Sequence, residues 1–295
     1  MSAPRTPNSS NGVSMMDPKK AAEKSKETTT RVITGVIGGG FLLALFLIGG
    51  HLGVSFASAI LGGLMCWELS NAFYSLSDHR EKLIALVGIS WLTIFANMLF
   101  PKSMLECLIV SFMGLFTYFL AIAERHPSDL RKHFDELVFT VFVLVYVVTF
   151  VAFLPLIRDG ANGIKWLLLF LFIVWSGDTG AYFVGRKWGR TKLYPLISPG
   201  KSMEGAGGGL LSSVVVTMIF KLVAFAALSW FGAVVTAVLV GISSQIGDLC
   251  ESFFKRAYKI KDSSKILPGH GGILDRFDGV LFSLPIMYFC VKIFS

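Results

Sequence analysis

The residues of this chain able to do chemistry are four aspartates, one histidine and a set of lysines and arginines gathered between positions 175 and 278. One stretch reads Trp175-Ser176-Gly177-Asp178-Thr179-Gly180-Ala181-Tyr182 and runs through basic residues to Ser198-Pro199-Gly200-Lys201-Ser202-Met203-Glu204-Gly205. The other opens at Gly247-Asp248, passes Glu251, Lys255, Arg256 and Lys265, then Gly269-His270-Gly271-Gly272, and closes on Asp275-Arg276-Phe277-Asp278. Asp275 and Asp278 are three apart, so on a helix they share one face at about 5–6 Å. At the start of that helix the backbone dipole favours their charge. Asp248 ends the preceding apolar run, which lets all three converge at one depth. Ionised carboxylates crowded at a membrane boundary need a neutralising cation. Oxygen donors without cysteine favour a hard ion such as Mg²⁺, with Asp248, Asp275 and Asp278 as its expected ligands.

The cations Lys201, Lys255, Arg256, Lys265 and Arg276 alternate with glycines and serines. Glycine lets a backbone approach phosphate oxygens, and arginine matches them with a two-pronged fork. Gly200-Lys201-Ser202 does not read as a nucleotide-binding P-loop: the earlier glycine that motif needs falls on Pro195, and no strand is expected before it. His270, flanked by glycines, is expected to contact phosphate or move a proton. Basic loops, a hard divalent ion and small residues together point to phosphoryl-type chemistry on a polyanion. Nucleotidyl transfer, phosphorylation and dephosphorylation all stay open on these residues alone.

The elements that must position these groups are membrane helices. The chain has 295 residues, 54% hydrophobic and only 16% charged, against roughly 25% charged in soluble domains. A disordered chain or a disulfide-rich module is excluded on the same grounds. Cys66, Cys107, Cys250 and Cys290 lie far apart in apolar runs and read as packing residues. Spans of about 20 apolar residues are expected near 33–50, 54–74, 82–100, 103–123, 137–157, 164–184, 209–229, 231–248 and 277–294. With the amino terminus in the cytoplasm and the carboxyl terminus outside, twenty-two of the 27 basic residues fall on the cytoplasmic side, as the positive-inside rule requires. The expected fold is therefore an all-α polytopic membrane protein of about nine transmembrane helices. Its parts are a disordered polar tail (1–30), amino-terminal helices (31–160), and a catalytic region (161–295) with cytoplasmic loops 185–208 and 249–276. Glu68 and Lys221 fall inside spans and need a partner, either each other or the polar site.

Ser252-x-Phe254-Lys255-Arg256, four residues, then Lys261-Asp262-x-Ser264-x-x-Leu267-Pro268-x-His270-Gly271-Gly272-Ile273-x-Asp275-Arg276-Phe277-Asp278 resembles the signature of the phosphatidate cytidylyltransferase (CDP-diacylglycerol synthase) family. The two upstream segments, around Asp178 and Lys201, are similar to that family's as well. The resemblance is strong over 170–295; the first half is similar only as a stack of apolar helices. It implies a reaction of CTP with phosphatidic acid that gives CDP-diacylglycerol and pyrophosphate in phospholipid biosynthesis. It also implies dependence on Mg²⁺, with a monovalent ion such as K⁺ as a second metal. By the same resemblance, Asp248, Asp275 and Asp278 bind metal, while Lys255, Arg256, Lys265, His270 and Arg276 hold the triphosphate. Asp178, Lys201 and Ser202 complete the substrate pocket. A homodimer in the bacterial inner membrane, with its active site on the cytoplasmic side and no nucleic-acid partner, is the expected setting.

Two rivals frame the test. A CTP-dependent kinase of a membrane lipid alcohol would use similar loops but release CDP. A transporter with an anion-binding vestibule would carry polar residues through midplane, whereas here they gather at one face.

Overall fold

The computed structural model describes residues 39–40, 44–73, 79–100, 103–125, 130–260, 263–264, 266 and 271–295. The tail 1–30, Lys265 and His270 lie outside the described residues, as does half of the expected span 33–50. Long apolar segments form helices because only internal hydrogen bonding satisfies a backbone in hydrocarbon. The helices are α1 (Gly50–Phe73), α2 (His79–Leu99), α3 (Met104–Arg125), α4 (Leu130–Val143) and α5 (Phe153–Asp159). They continue with α6 (Gly163–Trp188), α7 (Met203–Ala224), α8 (Trp230–Ala257) and α9 (Leu274–Phe294). A π-helical turn, Leu144–Thr149, joins α4 to α5 within a single rod.

Among the described residues seven helices are long and apolar enough to cross a membrane. Large apolar side chains face outward along them, including Val110, Met113, Leu211 and Val223, the last 82% exposed. So much outward apolar surface has no stable place in water. The chain is an all-helical polytopic membrane protein, with one small exception: β1 (Lys192–Tyr194) and β2 (Ser198–Ser202) pair as an antiparallel hairpin between α6 and α7.

The helices outrun the apolar stretches that mark them. α6 continues to Trp188 and α8 to Ala257, so Lys255 and Arg256 stand on a helix and not in a connecting loop, while Asp178 and Asp248 lie on helices as expected. The expected loop 185–208 shrinks to 189–202, and of the expected loop 249–276 residues 249–257 belong to α8 and 274–276 to α9. α7 starts at Met203 and stops at Ala224, not at 209 and 229. Ser229 instead caps α8, its Oγ accepting the Gly232 N–H at 3.0 Å. Apolarity ends where the chain leaves hydrocarbon; backbone hydrogen bonding does not.

Two glycine contacts set the helix spacing around the site. α8 crosses α9 where a Cβ on Gly247 would stand 2.6 Å from the Asp278 carbonyl oxygen and 3.2 Å from the Gly279 Cα. α6 lies against α7 so closely that a Cβ on Gly209 would meet the Gly177 carbonyl oxygen at 2.7 Å. Below these contacts the core fills with large side chains. Trp166, Leu169, Phe170 and Ile173 of α6 are fully buried, and Phe225 meets Trp166 edge-on at 5.0 Å.

Candidate active site

Both glycine crossings lie toward one end of the bundle, and the polar residues collect there. Between α6, α7, α8 and the hairpin is a cavity of about 390 Å³ whose wall includes Asp178, Tyr182, Arg186, Lys201, Gln245 and Asp248. The Lys201 ammonium stands 2.6 Å from Asp248 Oδ2. Ser202 is buried in the same wall and caps α7, its Oγ accepting the Gly205 N–H at 3.1 Å. Glu204 accepts the N–H groups of Arg190 and Thr191, which ties the hairpin back to α7. Arg256 Nε donates to the Ile197 carbonyl, holding the hairpin against α8.

About two turns further along α8, Lys255 Nζ bridges Glu251 Oε2 at 2.7 Å and Asp275 Oδ1 at 2.9 Å. Asp275 also accepts the Ser263 N–H, the Ser263 hydroxyl and the Gly272 N–H, the last at 2.8 Å. It therefore clamps the segment leading into α9 as well as Lys255. Asp278 sits one turn on, at the α8–α9 crossing, and accepts the Gly279 N–H at 2.7 Å. Asp178, Asp248 and Asp278 are near enough to repel one another. Arg276, in contrast, is exposed at the rim.

Among the described residues no three acidic, histidine or cysteine side chains are drawn in at metal-ligand spacing. Lysines occupy that role: Lys201 neutralises Asp248, and Lys255 neutralises Asp275 and Glu251. The donor chemistry nonetheless fits a hard divalent ion. Every candidate ligand is an oxygen, and Asp278 has no ion-pair partner among the described residues. With four of its contacts already made, Asp275 has the least freedom to accept a metal.

Two acidic residues of the site were absent from the expected set. Glu251 stands three residues after Asp248 and four before Lys255, a spacing that places it beside both on one helix. Glu68, from α1, is fully buried. It accepts the Ser264 hydroxyl at 2.6 Å, the Ser263 hydroxyl at 3.2 Å, and the Ile273 and Leu274 N–H groups at 2.7 and 2.8 Å. The last two are orphan donors at the start of α9, where a negative charge is favoured. Glu68 and Lys221 do not pair with each other: Lys221, in the last turn of α7, lies 4.4 Å over the Trp230 ring.

Known proteins are similar to this chain along most of its length. Residues 29–294 match the model of the cytidylyltransferase family. A Bacillus subtilis protein named phosphatidate cytidylyltransferase is 33% identical over 276 residues, spanning 90% of this chain and 98% of its own. A Thermotoga maritima protein of the same name is 35% identical over 277 residues, spanning 90% and 96%. One from Staphylococcus epidermidis is 34% identical over 260 residues, spanning 87% and 96%. With nearly the whole chain matched, from α1 through the carboxylates of α8 and α9, this protein belongs to the cytidylyltransferase family.

Proposed function

We propose that this chain transfers the cytidylyl group of CTP to phosphatidate, forming CDP-diacylglycerol and releasing pyrophosphate. The observation that carries the reading is the meeting of a cation-lined cavity with the carboxylates of the α8–α9 crossing at one end of a membrane bundle. Lys201 and Arg186 receive the triphosphate in the cavity, and Asp248 and Asp278, with Asp178 beside them, hold Mg²⁺. Bound there, the ion neutralises charge that develops on the phosphates; K⁺ is the expected second ion. Asp275 keeps Lys255, Ser263 and Gly272 in place. An oxygen of the phosphatidate phosphate attacks the α-phosphorus of CTP, the bond to the β-phosphate breaks, and pyrophosphate leaves on the opposite side. An ionised phosphate is already a nucleophile, so no side chain need serve as one.

The site faces the cytoplasm in this reading, with nine spans, the amino terminus inside and the protein in the bacterial inner membrane. The basic residues favour that orientation. The experiment is incubation of the purified protein with phosphatidate and CTP labelled at either the α- or the γ-phosphate. Label from the α position is expected in the lipid and label from the γ position in pyrophosphate. Transfer of γ-label to lipid, with CDP released, would establish a lipid kinase instead.

A further inference from the structure

The polar cavity occupies one side of α8, and a second opening lies on the other. An open groove of about 750 Å³ runs between α4 and α8, its wall formed by Val138, Phe139, Phe142, Phe253, Phe254 and Tyr258. Its inner end shares Phe142, Cys250 and Phe254 with a smaller cavity of about 100 Å³ that reaches Tyr146, Glu251 and Phe282. Aromatic rings line the whole path. Tyr258 meets Phe254 at 4.6 Å between ring centres, Phe254 stacks on Phe142 at 6.4 Å, and Phe142 stacks on Tyr146 at 5.4 Å.

At the inner end two buried polar atoms, Tyr146 Oη and Glu251 Oε1, have no hydrogen-bond partner among the described residues. Tyr146 is only 9% exposed and Glu251 only 2%. Such atoms are nearly always satisfied in a folded protein, so their isolation marks a place where a polar group binds. The helix is irregular here too: Tyr146 lies in the π-helical turn Leu144–Thr149, a distortion that recurs at functional sites.

We propose that the α4–α8 groove seats the acyl chains of phosphatidate, and that Phe142, Phe254 and Tyr146 form the throat through which its head reaches the carboxylates. The inference rests on the cytidylyl-transfer reading and adds the route and residues that bind the lipid. Within the throat Tyr146 Oη donates a hydrogen bond to an ester carbonyl of the lipid. The groove opens on the lipid-facing side of the bundle, where Val138 and Phe253 are 52% and 61% exposed. In-line displacement needs the attacking oxygen and the leaving pyrophosphate on opposite sides of phosphorus. Lipid from the α4 side of α8 and nucleotide from the α6–α7 side satisfy that requirement.

A phosphatidate carrying a diazirine on one acyl chain tests the groove directly, in nanodiscs of phosphatidylcholine. Photolysis is expected to label peptides containing Val138, Phe142 and Phe253, and unlabelled phosphatidate should suppress the labelling. Labelling spread over α3, or suppressed equally by phosphatidylcholine, would mean annular lipid and overturn the proposal. Ala257→Trp fills the outer groove from an exposed position. It should raise KM for phosphatidate at least about fivefold while leaving KM for CTP within about twofold. Equal shifts in both constants, or none, would also overturn it. The photolabelling needs no turnover, so a wild-type protein that labels as expected but fails to move α-label into lipid would refute the reaction and not the groove.

Discussion

Gly247→Ala probes the geometry on which the site depends. At a neutral helix position alanine is favoured over glycine by about 1 kcal/mol, so the helix alone would gain stability. The crossing with α9 reverses the sign. The new methyl would lie 2.6 Å from both the Asp278 carbonyl oxygen and the Phe282 Cβ, where ordinary contact begins at 3.4 Å. Those atoms belong to the backbone or its first side-chain carbon and have no rotamer to escape into, so α8 and α9 must part by about 0.8 Å. Overpacking of this kind typically costs about 1–3 kcal/mol. The larger effect is on turnover. The displaced residue is Asp278 itself, and a misplacement near 1 Å lowers a rate by up to about 10²-fold. The assay is transfer of α-labelled CTP into lipid in mixed micelles, with elution profile and thermal unfolding as controls for folding. Gly207→Ala is the matched control, because nothing lies within 4 Å of its Cβ position; it should keep full activity. A folded Gly247→Ala protein with wild-type turnover would refute the claim that this crossing sets the position of Asp278.

Removal of the Glu68 carboxylate should loosen the segment that leads into α9. Glu68→Ala leaves the Ile273 and Leu274 N–H groups buried without an acceptor, a loss of about 2–6 kcal/mol from two such groups. Thermal unfolding in detergent should show it, with Glu68→Gln milder because its amide oxygen still accepts; equal stability of Glu68→Ala and wild type would contradict the anchoring role. Lys201→Met takes the only lysine among the described residues from the wall of the nucleotide cavity. Loss of one charge-assisted contact, about 1.5–3 kcal/mol, should lower kcat/KM for CTP by roughly 10–100-fold. Unchanged nucleotide kinetics would remove Lys201 from the triphosphate site.

Much of this arrangement is legible along the chain because its chemistry is written locally. Asp275 and Asp278 share a helix start, Asp248 and Lys255 share a helix face, and the apolar runs locate eight of the nine expected spans over described helices. Helix ends were less legible: polarity marks where hydrocarbon stops, and α8 runs on as far as Ala257. The hairpin was missed because its strands, three and five residues long, carry no period that separates them from loop. The role of Glu68 was hidden for a different reason. An acid inside an apolar span announces that it has a partner, but its partners lie about 200 residues away and two of them are backbone N–H groups. The lipid groove has no linear signature at all, since Phe139 and Phe254 read as ordinary membrane-helix residues until α4 and α8 are side by side.

The proposed reaction requires Asp248 and Asp278 to hold the divalent ion that accompanies CTP. Electron paramagnetic resonance of Mn²⁺ with CTP and the purified protein measures this without turnover. The wild-type protein should remove free Mn²⁺–CTP signal stoichiometrically, and Asp248→Asn and Asp278→Asn should each weaken binding by at least about tenfold. Wild-type Mn²⁺ affinity in a folded Asp278→Asn protein would contradict the claim.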